Sequence, residues 1–171
     1  MPGSKSAKTA PRTIDYKADM LRTRADVVVN LAYLFTILAP LVAFFSLRLA
    51  RRGQQDAHKR VQTLLLTACA LAVVALEVRI RLAGGSGALL QGSPYAGSRL
   101  LLTVATIHIL GAVATYLIWG WLVIISRWRY HKALPGGFSH RHKIAGWMVI
   151  SGLCFTTLSA TAVYFLTFVA S

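Results

Sequence analysis

Four apolar runs separated by short polar connections set the pattern of this chain. They occupy about residues 27–47, 61–82, 100–125 and 144–169. A helix needs about 20 mainly apolar residues to cross a hydrocarbon core about 30 Å thick. Each run reaches that length, the second by burying Glu77 and letting Arg79 and Arg81 reach outward. The connections are short, so consecutive helices should pack against each other head to tail. The pattern predicts an all-α integral membrane protein, a four-helix antiparallel bundle over residues 26–171, preceded by a flexible basic tail over residues 1–25. The tail lacks the apolar stretch of a secretory signal.

Finer features of the pattern place the ends and the contacts. Pro40 removes one hydrogen bond from the first span and predicts a kink there. Asn30, near the tail-side interface, needs a partner or water. Gly84-Gly85 should end the second helix, and residues 83–98, rich in Gly and Ser, read as a loop on the membrane surface. Trp119, Trp121, Trp128 and Tyr130 read as an interfacial aromatic belt, and Pro135-Gly136-Gly137 reads as a turn. The last span carries Ser151, Gly152, Thr156, Ser159 and Ala160, residues small enough to let helix backbones approach closely in lipid.

Charge changes the picture only in part. The net charge is +14, which in a water-soluble chain would suggest nucleic acid. Here the basic residues flank the spans, the distribution of membrane topology and anionic-lipid contact, so no nucleic-acid partner is expected. The 19 Lys and Arg residues divide almost evenly between the two faces. The first and third loops hold theirs close to the spans, where they count most. That places these loops in the cytoplasm and both termini on the non-cytoplasmic side. Cys69 and Cys154 fall near the middle of their spans and read as small apolar packers, not as a disulfide.

The candidate chemistry lies in the few ionisable groups inside or beside lipid, since such groups are costly there and point to function by default. Glu77 lies about 8 Å and His108 about 12 Å from the tail-side face at about 1.5 Å rise per residue. On consecutive antiparallel helices the two could meet, and a carboxylate beside an imidazole suits proton transfer, quinone hydrogen bonding or a metal contact. The alternative is structural: an intrahelical ion pair between Glu77 and Arg81, spaced i,i+4, with His108 bonded to a neighbouring helix. Tyr116 reads as core. At the opposite face, His58 opens the second span, His140 and His142 open the fourth, and His131 lies in the loop before it. Imidazoles converging from two helix ends could hold copper, zinc or a haem iron; the plainer reading is interfacial contact with lipid phosphate. His108 has no histidine at its own depth, which disfavours a two-haem cytochrome and leaves one haem at the His58/His142 face open. The chain carries no hydrolase, phosphate-loop or dinucleotide motif, and no inverted repeat of a transporter; an enzyme is the weaker expectation.

Several of these pieces recur together elsewhere. The His58-Lys59-Arg60 start of the second span, the polar end of that span, His108 early in the third, and the segment HRHKIAGWM at residues 140–148 before a Thr/Ser-rich, Tyr-containing last span together resemble the DUF420 membrane-protein family (the CtaM-like proteins), over about residues 27–168. Many members carry a Tyr/His pair near the end of span two where this chain has Glu77-Val78-Arg79, which could mark a distinct subgroup. The resemblance implies a multi-pass protein of the inner (cytoplasmic) membrane with an assembly or accessory role for a respiratory haem-copper oxidase. Its partners would be anionic lipids and the subunits of that terminal oxidase. It would act by helix–helix contact with those subunits or by handling haem or copper, with His58, His108 and His142 as the handling residues and Glu77 as the proton or orientation partner. Two other readings stay open: a small haem-binding electron-transfer protein, and a structural subunit of a membrane complex.

Overall fold

The structure, a computed structural model, describes residues 25–129 and 136–170; residues 1–24 of the predicted tail, Tyr130, His131 and Pro135 lie outside them. Helix α1 runs Val27–Arg51, α2 Gln55–Leu82, the short α3 Ser86–Leu90, α4 Arg99–Arg129 and α5 Gly136–Tyr164, the last continuing as one π-helical turn, Phe165–Val169. The described residues contain no strand. Helices α1, α2, α4 and α5 are each long and apolar enough to cross a membrane, and the chain is a multi-pass membrane protein of all-α architecture.

Local chemistry fixes the ends. The Asp26 carboxylate accepts from the Val29 amide at 3.0 Å and caps α1. Gly53, at φ 78°, turns the chain sharply into α2. At the far end of α2, the Gly84 amide reaches the Arg81 carbonyl and the Gly85 amide the Ile80 carbonyl, the Schellman arrangement that ends a helix on a left-handed glycine. The Ser98 hydroxyl accepts from the Leu101 amide at 3.2 Å and starts α4. Gly136 and Gly137, expected in a turn, already belong to α5. Pro40 lies inside an uninterrupted α1.

Cross-helix contacts define an antiparallel bundle in the order α2, α1, α5, α4. Ser46 near the end of α1 meets His58 at the start of α2, while Asp26 before α1 pairs with Arg79 near the end of α2. Thr157 on α5 donates to the Thr36 carbonyl on α1 at 2.8 Å. Tyr33 stacks on Tyr164 with centroids 4.2 Å apart, and Tyr164 donates to Asn30 at 2.6 Å, which gives Asn30 the partner it needs. Helices α4 and α5 meet through Thr115 against Gly152 and Gly111 against Phe155. The ring closes only weakly: α2 and α4 touch at few points, whereas α1 lies along α2 and α4 along α5.

The loop on the tail side is more built than its Gly-rich sequence predicts. Besides α3, it buries Ser93, whose hydroxyl donates to the Leu166 carbonyl in the π-turn at 2.7 Å. The packed core, including Ala43, Leu65, Cys69, Trp119, Leu122 and Leu153, sits towards the other face, below the first and third loops. Outside it the bundle is apolar, with Leu71, Leu110, Leu117 and Leu158 exposed. In lipid that face is solvated by acyl chains. Trp121 and Trp128 point outward as belt residues do, but Trp119 does not: it is 1% exposed and turned into the core. Cys69 and Cys154 are free thiols.

Candidate functional site

The predicted site residues separate into two groups. Towards the tail side, Glu77 pairs with Arg81 at 2.6 Å along one face of α2, and both side chains are largely exposed. His108 on α4 places Nδ1 2.9 Å from the Ser159 hydroxyl of α5. Glu77 and His108 are thus each partnered separately, and the structure favours the intrahelical alternative for Glu77. Arg79, expected to reach outward, turns to Asp26 and ties α2 to the start of α1. Arg81, one residue from the end of α2, carries the pair towards the wet interface, where an i,i+4 pair is worth only about 0.3–0.5 kcal/mol. Glu77→Gln is therefore expected to leave the unfolding midpoint of the purified protein in detergent nearly unchanged; a loss above about 1 kcal/mol would assign Glu77 a role its geometry does not give it.

The second group forms a concave site. Between the loop-face ends of all four long helices lies a cavity of about 570 Å³, within the size range of small-molecule and cofactor pockets, about 300–1,000 Å³. His58 lines it from the first turns of α2, and His142 from α5. Its floor is Trp119 with Leu122, Val149 and Ile150, and its wall carries four cations: Arg51, Lys59, Arg127 and Lys143. Lys59 has a 3.6 Å contact with exposed Asp56. The site is therefore apolar below and cationic around, the profile of a pocket for an anionic amphiphile.

Each imidazole is held by a serine on the preceding long helix. His58 Nδ1 lies 2.8 Å from the Ser46 hydroxyl and 2.9 Å from the Ser46 carbonyl oxygen, and Ser46 is fully buried. A carbonyl only accepts, so the contact places the proton on Nδ1 and the lone pair on Nε2. His142 Nδ1 lies 3.2 Å from the Ser126 hydroxyl. Both rings line the same cavity. Gly146, one turn after His142, lines the cavity, and a side chain there would meet open space. Below, Trp119 Nε1 donates to Gln62 Oε1 at 2.7 Å and closes the floor between α4 and α2.

The structure brings His58 and His142 to one site but leaves His140 exposed and outside the cavity lining. His131 lies outside the described residues. Among the described residues no three His, Cys, Asp or Glu side chains converge as a metal-binding group. The sequence reading missed Ser46, Ser126 and Gln62. Ser46 had a signal: it stands within two turns of helix before the turn at residues 52–54 and His58 within two turns after it, so an α-hairpin brings them together. Compared with protein-family models, curated proteins and solved structures, the chain matches none of them.

Proposed function

We propose that this chain is an accessory factor for assembly of a respiratory haem-copper oxidase in the cytoplasmic membrane, and that it handles a cofactor of that oxidase in the loop-face cavity. One observation carries the reading. His58-Lys59-Arg60 and HRHKIAGWM, the two basic His motifs behind the DUF420 resemblance, are distant in sequence, yet His58 and His142 line a single cavity. In this reading the first and third loops face the cytoplasm, so the cavity opens on that side. The sparse contact between α2 and α4 leaves apolar helix faces for oxidase subunits to pack against.

The test is made in membranes. Cells lacking the chain are expected to assemble oxidase subunits with reduced haem or copper content and little oxygen consumption. The natural protein should restore both, and a His58→Ala/His142→Ala variant should not. Full cofactor content and activity without the chain would overturn the reading. The same paired imidazoles also suit a small haem electron-transfer protein. That alternative predicts oxidase of normal composition with slowed electron delivery.

A further inference from the structure

The cofactor can be named by chemistry. We infer that the loop-face cavity binds one iron porphyrin, with His58 and His142 as its two axial ligands and the cationic wall holding its carboxylates. The inference rests on the cavity used in the proposed function, but not on any link to an oxidase.

Size, charge and ligand count each decide between candidates. A bare copper or zinc ion fills a small fraction of about 570 Å³. It would also face Arg51, Lys59, Arg127 and Lys143, whose like charge opposes its entry. A quinone's carbonyl oxygens can accept hydrogen bonds, but it is neutral and compensates none of the four cations. A haem presents an apolar ring to Trp119 and Ile150 and two carboxylates to the basic wall, where Arg can engage them in bidentate fashion. A porphyrin fills four positions on iron and leaves two axial ones. Two imidazoles from different helices are the number it lacks.

The hydrogen bonding of His58 supports the same ligand. A ligating histidine usually donates its other ring N–H to a carbonyl or carboxylate, which fixes ring orientation and tautomer. The Ser46 carbonyl, 2.9 Å from Nδ1, makes that contact and leaves the Nε2 lone pair for iron. Gly146 adds room: it lies one turn from His142 on the cavity wall, where a planar ring can lie against backbone. Lipid phosphate shares the cationic wall but needs donors, and His58, with its proton on Nδ1 at the Ser46 carbonyl, offers it only the Nε2 lone pair, so the experiment must separate the two.

The experiment titrates the full-length protein in detergent, and separately in anionic-lipid nanodiscs, with haem b. The expected result is one haem per chain in both, with the low-spin absorption and electron paramagnetic resonance signature of bis-imidazole iron and a sharp α-band on reduction. His58→Ala and His142→Ala should each weaken binding at least tenfold or convert the bound haem to high spin. Added imidazole should restore the low-spin spectrum of haem that still co-elutes with the protein, and a helical circular dichroism spectrum like that of the natural protein checks that each variant is folded. His140→Ala, outside the cavity, should bind as the natural protein does. Sub-stoichiometric binding, spectra unchanged by both cavity variants, or binding in detergent that anionic lipid abolishes would each overturn the inference. Because the isolated protein is used, failure here leaves the oxidase reading to the membrane assay.

Discussion

Trp119→Ala is expected to destabilise the bundle by about 2–3 kcal/mol, somewhat below the about 3–5 kcal/mol of a large aromatic truncated in a water-soluble core. The reduction follows from the solvent. In lipid the unfolded helices keep their side chains among acyl chains, so little transfer energy is lost, and what remains is the unfilled space and the lost contacts. Both are concentrated at Trp119. It is 1% exposed, its ring centroid lies 6.0 Å from that of Tyr116, and its indole N–H reaches Gln62 at 2.7 Å. Helices α2 and α4 have few other contacts, so the substitution both enlarges the cavity and loosens its least-supported wall. Trp119→Phe should recover most of the packing and forfeit the hydrogen bond, a cost of about 1 kcal/mol. Trp121, two residues on and 55% exposed, should tolerate Ala with little change. Reversible unfolding in mixed micelles measures all three. Equal effects at Trp119 and Trp121 would mean that Trp119 does not hold the cavity floor.

That contrast marks where the sequence could be read and where it could not. Hydropathy located all four spans, because the lipid core selects apolar residues over a length set by its thickness. It placed their ends short. The helices run on through Arg48–Arg51, Gln55–Arg60, Arg127–Arg129 and residues 136–143, since backbone hydrogen bonding does not stop where lipid stops. It also could not tell Trp119 from Trp121. Both are apolar rings near an interface, and only the rotation of α4 against α2 turns one inward. The same limit applies to the polar residues. Depth arithmetic put Glu77 and His108 within reach of each other, but depth fixes position along the membrane normal and not around the helix. The neighbours of α4 turned out to be chiefly α5, so His108 met Ser159. That His58 and His142 share one membrane face was legible because both lie where apolar spans begin, but only the rotation of α5 turns His142 and not His140 into the cavity.

Gly152→Ala is expected to cost about 1–3 kcal/mol, the usual range for overpacking a fitted interface, although alanine is the better helix former by about 0.5–1 kcal/mol. A Cβ at Gly152 would fall 2.3 Å from the Thr115 hydroxyl oxygen and 2.8 Å from its methyl carbon. Thr115 is buried, its hydroxyl donates to the Gly111 carbonyl at 2.7 Å, and its β-branched side chain has few rotamers open to it in a helix. It cannot turn away, so α4 and α5 must separate. Gly111 offers the control on the same interface. A Cβ there would fall 2.3 Å from a Phe155 ring atom, a nominal clash just as severe. Phe155, however, is 42% exposed and can swing into lipid at the cost of one contact. Gly111→Ala should therefore lie within about 1 kcal/mol of the natural protein, the helix propensity gain offsetting the moved ring. The interhelical fit at Thr115 also sets the spacing of α4 and α5 further up, where Ser126 meets His142. A Gly152→Ala protein that remains folded should then bind haem b more weakly than Gly111→Ala does. Equal stability of the two variants in mixed-micelle unfolding would show that Thr115 has room to move and that close packing of α4 on α5 does not position His142.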